Sequence, residues 1–232
     1  MKQLAFLRQV PLLTDLTDSE LQALAADLVP LTFRQHEPIL YQGDSGEMLY
    51  LVQSGRVRIY VLGEEGQEIS VKLMGPGEVF GELALIDDLP RSANAVAMED
   101  TVVLTLPRSA YLHHLRRCPQ LALNFMRTLS RRLRYTTTQA GSLAFLDVYR
   151  RVARKLLELA EEHGVVEGEG VRIAVHLTQQ ELATMVGATR ESTNKTLAAF
   201  RRQGFIRMRK GQIIIVNAEA LREYAAECSS TR

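Results

Sequence analysis

The chain has 232 residues, enough for two small domains, and its 46% hydrophobic and 24% charged content is that of a globular protein. No apolar run reaches the roughly 18 residues of a membrane span. The opening MKQLAFLRQVPLL carries neither a long apolar core nor a small-residue cleavage site, so export is not expected and the cytoplasm is. The net charge of +1 hides an imbalance: residues 1–118 hold ten Lys/Arg against sixteen Asp/Glu, and residues 119–232 hold eighteen against eleven. A polyanionic partner is therefore expected for the second half only. Two cysteines, Cys118 and Cys228, fit a reducing compartment, one as a core thiol and one as a tail thiol.

In chain order, residues 1–28 read as short helices. Thr17-Asp-Ser-Glu20 is a capping box, followed by Leu21, Leu24, Ala25 and Leu28 at helical spacing. From Leu31 to Leu106 the texture changes to short β-rich runs (38–41, 49–52, 57–61, 69–73, 101–104) separated by turn glycines. That pattern predicts an antiparallel sandwich or roll, with Gly63-Glu-Glu-Gly66 as a hairpin tip. Pro107 opens a helix over 108–117.

The stretch from Pro119 to about Asp147 follows. Its small and apolar positions, Ala122, Met126, Leu129, Leu133, Thr136, Ala140 and Leu143, step by alternating fours and threes. This heptad seam predicts a helix of roughly 35–40 Å at ~1.5 Å per residue. It fits a long core helix within one domain or a helix that pairs with a second copy. A further amphipathic helix is expected from Val148 to about Glu162, a loop over 163–170 and a strand over 171–177. Thr178-Gln-Gln-Glu181 is a second capping box opening a helix that Gly187 ends, and Thr189 caps another that runs to Arg202. Two short strands, FIRM and QIIIV, flank Arg209-Lys210-Gly211. The tail from Asn217 starts as a short helix, and its final SSTR is expected to be disordered.

Two capped helices joined by a short turn and followed by a hairpin predict a winged helix-turn-helix. At about 100° per residue, Thr193, Leu197 and Phe200 share the inward sector of the second helix. Arg190, Glu191, Asn194, Lys195 and Ala198 share the outward one. Arg and Lys suit guanine O6/N7, and Glu suits the cytosine amino group. A solvated helix face is the plainer reading, but residues 189–210 carry seven Lys/Arg against the single acid Glu191. Arg207, Arg209 and Lys210 on the wing, and Thr178, Gln179 and Thr189 at helix starts, are expected to meet phosphates.

In the first half the informative segment is Gly77 to Ala93. Gly81-Glu82-Leu83-Ala84 predicts a short helix whose free N–H groups face an anion. Arg91 offers a charged fork, Ser92 a hydroxyl, and Glu82 an acceptor suited to a ribose hydroxyl. A loop with a surface arginine is the plainer alternative.

Gly81-Glu82-Leu83 followed by Arg91-Ser92-Ala93 resembles the phosphate-binding cassette of cyclic-nucleotide-binding domains. Leu143-Ala-Phe-Leu-Asp-Val148 resembles the hinge, and Ala188-Thr-Arg-Glu-Ser-Thr-Asn-Lys195 the recognition helix, of the CRP/FNR regulators, on their cyclic AMP receptor protein branch. The resemblance covers nearly the whole chain. It implies an α+β fold: a cyclic-nucleotide-binding β-roll (jelly roll) over 1–118, a dimerisation helix and hinge over 119–146, and a winged helix-turn-helix over 147–232. It implies cyclic AMP held by Gly81, Glu82, Leu83, Ala84, Arg91, Ser92 and Ala93, with Glu82 on the ribose 2′-OH and Arg91 and Ser92 on the phosphate. Thr136 and Thr137 would face the adenine, Thr137 in the opposite protomer. Arg190, Glu191 and Lys195 take the three base-reading positions of a TGTGA-like half-site. The family pattern has Arg at the third, and Lys195 offers a point charge rather than a fork. The expected partners are double-stranded DNA, a second copy of the chain and RNA polymerase, without a membrane.

Other readings have less support. Two cysteines and five scattered histidines (36, 113, 114, 163, 176) predict no metal, haem or iron–sulfur cluster, although a regulator of this fold sensing another effector, or none, remains the alternative. A cupin-type metal enzyme needs clustered ligands, and only His36 lies in the roll. No kinase or channel segment accompanies the nucleotide domain, and no nucleophile–base constellation is present, so no enzymatic activity is expected.

Overall fold

The computed structural model describes residues 2–168, 170–209 and 211–226; Lys210, Cys228 and the SSTR tail lie outside the described residues. The chain divides between Thr136 and Thr137 into two compact units.

The first unit begins with α1 (Lys2–Leu7), a 3-10 turn at Pro11–Leu13 and α2 (Asp18–Asp27). The Thr17–Glu20 capping box forms with both reciprocal bonds. Eight strands follow: β1 (Val29–Phe33), β2 (Pro38–Leu40), β3 (Met48–Ser54), β4 (Val57–Leu62), β5 (Glu68–Met74), β6 (Val79–Phe80), then α3 (Leu83–Asp87), β7 (Asn94–Ala97) and β8 (Thr101–Pro107). They form two four-stranded antiparallel sheets, ordered β1-β8-β3-β6 and β2-β7-β4-β5. The period-two alternation of β3 explains the layering. Leu49 and Leu51 join a core that faces the helices, while Val52 and Tyr50 join a second core between the sheets with Val57, Met74, Phe80, Ala95 and Val103. The helix-side core is closed by α4 (Arg108–Arg117) and the start of α5 (Pro119–Phe145), through Tyr111, Leu121 and Phe125. Three strands escape the sequence pattern. β1 contains Pro30, which is tolerated because β1 is a sheet edge; β6 has only two residues, and β7 is the small-residue run NAVA.

The second unit holds the end of α5, then α6 (Val148–His163), β9 (Gly164–Glu167), β10 (Gly170–Ile173), α7 (Gln179–Met185), α8 (Arg190–Arg202), β11 (Ile206–Arg209), β12 (Gln212–Ile215) and α9 (Ala218–Ala226). Residues 164–167 correct the expectation of a loop: they pair with β10 in a hairpin and form the edge of a sheet ordered β11-β12-β10-β9. The glycine density hid the β-branched pair Val165-Val166. The strand expected over 171–177 ends at Ile173, where Ala174 N–H turns back to the His163 carbonyl.

Two features fix the α7–α8 turn. Gly187 sits at φ +57°, and a Cβ there would fall 2.6 Å from Leu143 Cδ2. Arg151 donates to the carbonyls of Leu146 and Gly187 at 3.0 and 3.2 Å. The end of α5 and the turn are thus tied to one guanidinium. Gly187→Ala introduces both a left-handed alanine and the overlap with Leu143. It is expected to destabilise the second unit by about 1–2 kcal/mol, read as a lower calorimetric midpoint for that unit alone.

Candidate functional site

A cavity of about 240 Å³ lies in the first unit, with apolar walls from Leu40, Ile59, Val61, Val71 and Phe80. Its polar end is built by the segment between β6 and β7. Gly81 at φ +81° bends the chain, and a Cβ there would fall 2.7 Å from Arg91 Nη1, so only glycine admits the guanidinium. Glu82 precedes α3, whose first N–H groups lack helical acceptors. Gly81, Glu82, Leu83, Ala84, Arg91, Ser92, Ala93 and Thr136 all line the cavity, while Thr137 is exposed.

Arg91 is only 6% exposed. Its Nη1 donates to the Gly81 carbonyl at 2.6 Å and its Nη2 to the Met48 carbonyl at 2.8 Å, with the guanidinium 5.7 Å from the Tyr50 ring centroid. Two of its five N–H groups are thereby committed, which aims the fork and leaves donors for an anion.

Glu82 carries the main surprise. It is 3% exposed, and its Oε1 accepts from Arg132 Nη1 at 2.6 Å. Arg132 also donates to the Val79 carbonyl through Nη2. The sequence singles out Glu82 as a ribose acceptor but passes over Arg132. The signal available is its spacing: Arg132 lies one helical turn before Thr136, on the face that meets the pocket. Tyr111 is fully buried nearby; burial foremost, with the Glu82 charge second, raises its pKa above the usual tyrosine range. Among the described residues no three His, Cys, Asp or Glu cluster so as to hold a metal ion.

In the second unit, Thr178 caps α7 through a capping box with Glu181, and Thr189 caps α8 through Ser192 N–H. Both hydroxyls are used in these caps: Thr178 Oγ1 also donates to Glu181, and Thr189 Oγ1 to Ser192 Oγ. Thr193, Leu197 and Phe200 are buried as the helical wheel requires. Arg190, Glu191, Lys195 and Ala198 are exposed, as is Gln179. Asn194 departs from the outward placement. It is half-buried with an enclosed, unpartnered Oδ1. Lys195 Nζ lies 2.7 Å from Glu191 Oε1. Their hydrogen bond and charge attraction lower the Glu191 pKa and raise that of Lys195. On the wing, Arg207 is exposed, whereas Arg209 pairs with Glu167 of β9 at 2.7 Å.

Residues 30–118 match the cyclic nucleotide-binding domain and residues 150–224 the Crp-like helix-turn-helix domain. The Cyclic AMP receptor protein of Thermus thermophilus is 38% identical over 215 residues, covering 93% of this chain and 96% of that one. A CRP-like cAMP-activated global transcriptional regulator of Mycobacterium tuberculosis is 36% identical over 203 residues, 88% of this chain and 91% of that one. A solved CRP/FNR-family transcriptional regulator from Thermus thermophilus is 31% identical with a TM-score of 0.72, covering 86% and 99% of the two chains. This chain therefore belongs to the CRP/FNR family of DNA-binding transcription regulators. It carries a cyclic nucleotide-binding domain and a helix-turn-helix, and it is not an enzyme. No helix among the described residues is long and apolar enough to cross a membrane.

Arg132→Met leaves the Glu82 carboxylate buried and unpaired. Urea unfolding of the first unit is expected to show a loss of about 3 kcal/mol, with Glu82→Gln in the same chain restoring most of it.

Proposed function

We propose that this regulator is a cytoplasmic homodimer that binds cyclic AMP and then a palindromic DNA site with TGTGA-like half-sites. The supporting observation is the polar end of the pocket. A positive-φ glycine, a nearly buried arginine with free donors, a serine hydroxyl and a buried carboxylate converge on one cavity beside Thr136. That donor and acceptor set suits a cyclic phosphate on a ribose, and the apolar walls suit a base. In this reading Arg91 and Ser92 hold the phosphate and Glu82 takes the ribose 2′-OH. Thr136, with Thr137 from the second copy, meets the adenine.

The working parts are the β-roll over 1–118, the dimer helix and hinge over 119–146, and the DNA reader over 147–232. Dimerisation is supported by the seam of α5, where Met126 and Leu133 are 59% and 69% exposed. A large apolar stripe on one helix is unfavourable in water unless another surface covers it. Arg190, Glu191 and Lys195 read base edges in the major groove, with Asn194 at their border. Arg207, Arg209 and Lys210 on the wing, and Thr178, Gln179 and Thr189 at the helix starts, take phosphates. Because the Thr178 and Thr189 hydroxyls already serve caps, the backbone N–H groups of those turns are the better phosphate donors. RNA polymerase is the downstream partner.

Ligand acts by population shift: it favours the arrangement in which two recognition helices lie one DNA turn, ~34–36 Å, apart. One observation favours the second reading, another effector or none: Glu82 is already satisfied by Arg132, so a ribose must compete for it.

Calorimetry with cyclic AMP distinguishes the two. Saturable binding by the wild type and its loss in Arg91→Ala are expected; no heat in the wild type, with DNA affinity indifferent to the nucleotide, would overturn the cyclic AMP assignment. Thr136→Leu is expected to tighten the dimer while weakening cyclic AMP, read by sedimentation and calorimetry together. In DNA titrations, Lys195→Ala is expected to lose about 1–3 kcal/mol on the specific site only. Arg207→Ala weakens all sequences alike and lowers the salt slope by about one.

A further inference from the structure

A second cavity of about 310 Å³ lies in the first unit, bounded by the Pro11–Leu12 turn, the β5–β6 turn and α5. It shares Lys72, Arg132 and Tyr135 with the nucleotide pocket, so those side chains are the partition between the two. On α5 its residues are Thr128, Arg131, Arg132 and Tyr135, spaced i, i+3, i+4, i+7 as one stripe. That stripe is about 140° around the axis from the Met126–Leu129–Leu133 seam, so covering the seam does not cover the cavity.

The charges lining this cavity do not cancel. Lys72 is paired with Glu78, and Arg132 with Glu82 beyond the cavity wall, which leaves the Arg131 charge unbalanced. Both Glu78 oxygens are committed: Oε1 accepts from Lys72 Nζ at 2.7 Å and Oε2 from the Gly75 N–H at 2.9 Å. The Arg131 side chain has no hydrogen-bond or ion-pair partner among the described residues. A concave site with an unpaired guanidinium and a second one at its wall focuses positive potential and suits an oxyanion.

We propose that this cavity binds a small phosphate-bearing anion, and that the anion is coupled to the nucleotide pocket through Arg132. That side chain holds Glu82 on one side and lines the new cavity on the other. An anion that engages Arg132 loosens its grip on Glu82, and a carboxylate released from Arg132 accepts the ribose hydroxyl more readily. The linkage is reciprocal, so cyclic AMP raises the affinity for the anion by the same factor. The coupling rests on the cyclic AMP reading; the anion site itself does not.

The probe is sodium pyrophosphate, titrated by calorimetry into the full chain at constant ionic strength. Saturable binding is expected in the wild type, weakened by about tenfold in Arg131→Gln, partly restored in Arg131→Lys and unchanged in Arg91→Ala. Arg131 is exposed, so its variants fold; matched thermal unfolding checks this. No saturable binding, binding indifferent to Arg131→Gln, or binding lost in Arg91→Ala would each overturn the site. In the second arm cyclic AMP is titrated with and without pyrophosphate. An affinity gain of about threefold is expected in the wild type and none in Arg131→Gln; equal affinities in the wild type overturn the coupling. A chain that binds pyrophosphate but no cyclic AMP overturns the effector assignment and leaves the anion site standing.

Discussion

The buried Glu82 carboxylate is the constraint on which the nucleotide domain turns. A charge that is 3% exposed is unfavourable without a partner, and Arg132 supplies one at 2.6 Å. The partner comes from α5, about 50 residues later in the chain, so the pair fastens the long helix to the floor of the β-roll pocket. The same contact commits one of the two Glu82 carboxylate oxygens at the wall of the cavity. A single ion pair thus joins the long helix to the wall of the cavity.

Around that pair the pocket is organised by division of labour rather than by a cluster of like groups. Arg91 is aimed by two carbonyls, and its remaining donors face the cavity. The apolar walls come from the strand residues that alternate into the roll, so the sandwich core and the ligand wall are parts of one surface. A ligand that bridges the polar end and the walls therefore touches residues that also pack the domain core.

The DNA reader shows the opposite economy of burial. Arg190, Glu191 and Lys195 stand in water, and Glu191 and Lys195 neutralise each other. An exposed pair of this kind contributes little to stability. What holds the reader in shape lies beneath: Thr193, Leu197 and Phe200 in the core, the caps at Thr178 and Thr189, and Arg151 at the turn. The buried, stabilising residues and the exposed charges thus lie on different faces of one helix.

The order of elements, both capping boxes, the seam of α5 and the residues from Gly81 to Ala93 were legible in the sequence, because each is a local pattern: a cap, a period or a short motif whose chemistry lies within a few residues. The hairpin at 164–173 and the strands β1, β6 and β7 were not, since short or glycine-rich strands are defined by the strand they pair with. Asn194 lay on the outward sector of an ideal wheel, yet its enclosed oxygen depends on neighbours the wheel does not contain. Arg132 reads in sequence as one more basic residue on a basic helix. Only the fold brings it to Glu82 and makes it the wall between two cavities, because an ion pair across 50 residues leaves no periodicity to find. The sequence by itself determined which groups were available for an anion, a ribose and a DNA groove; the tertiary structure decided which of them are already engaged.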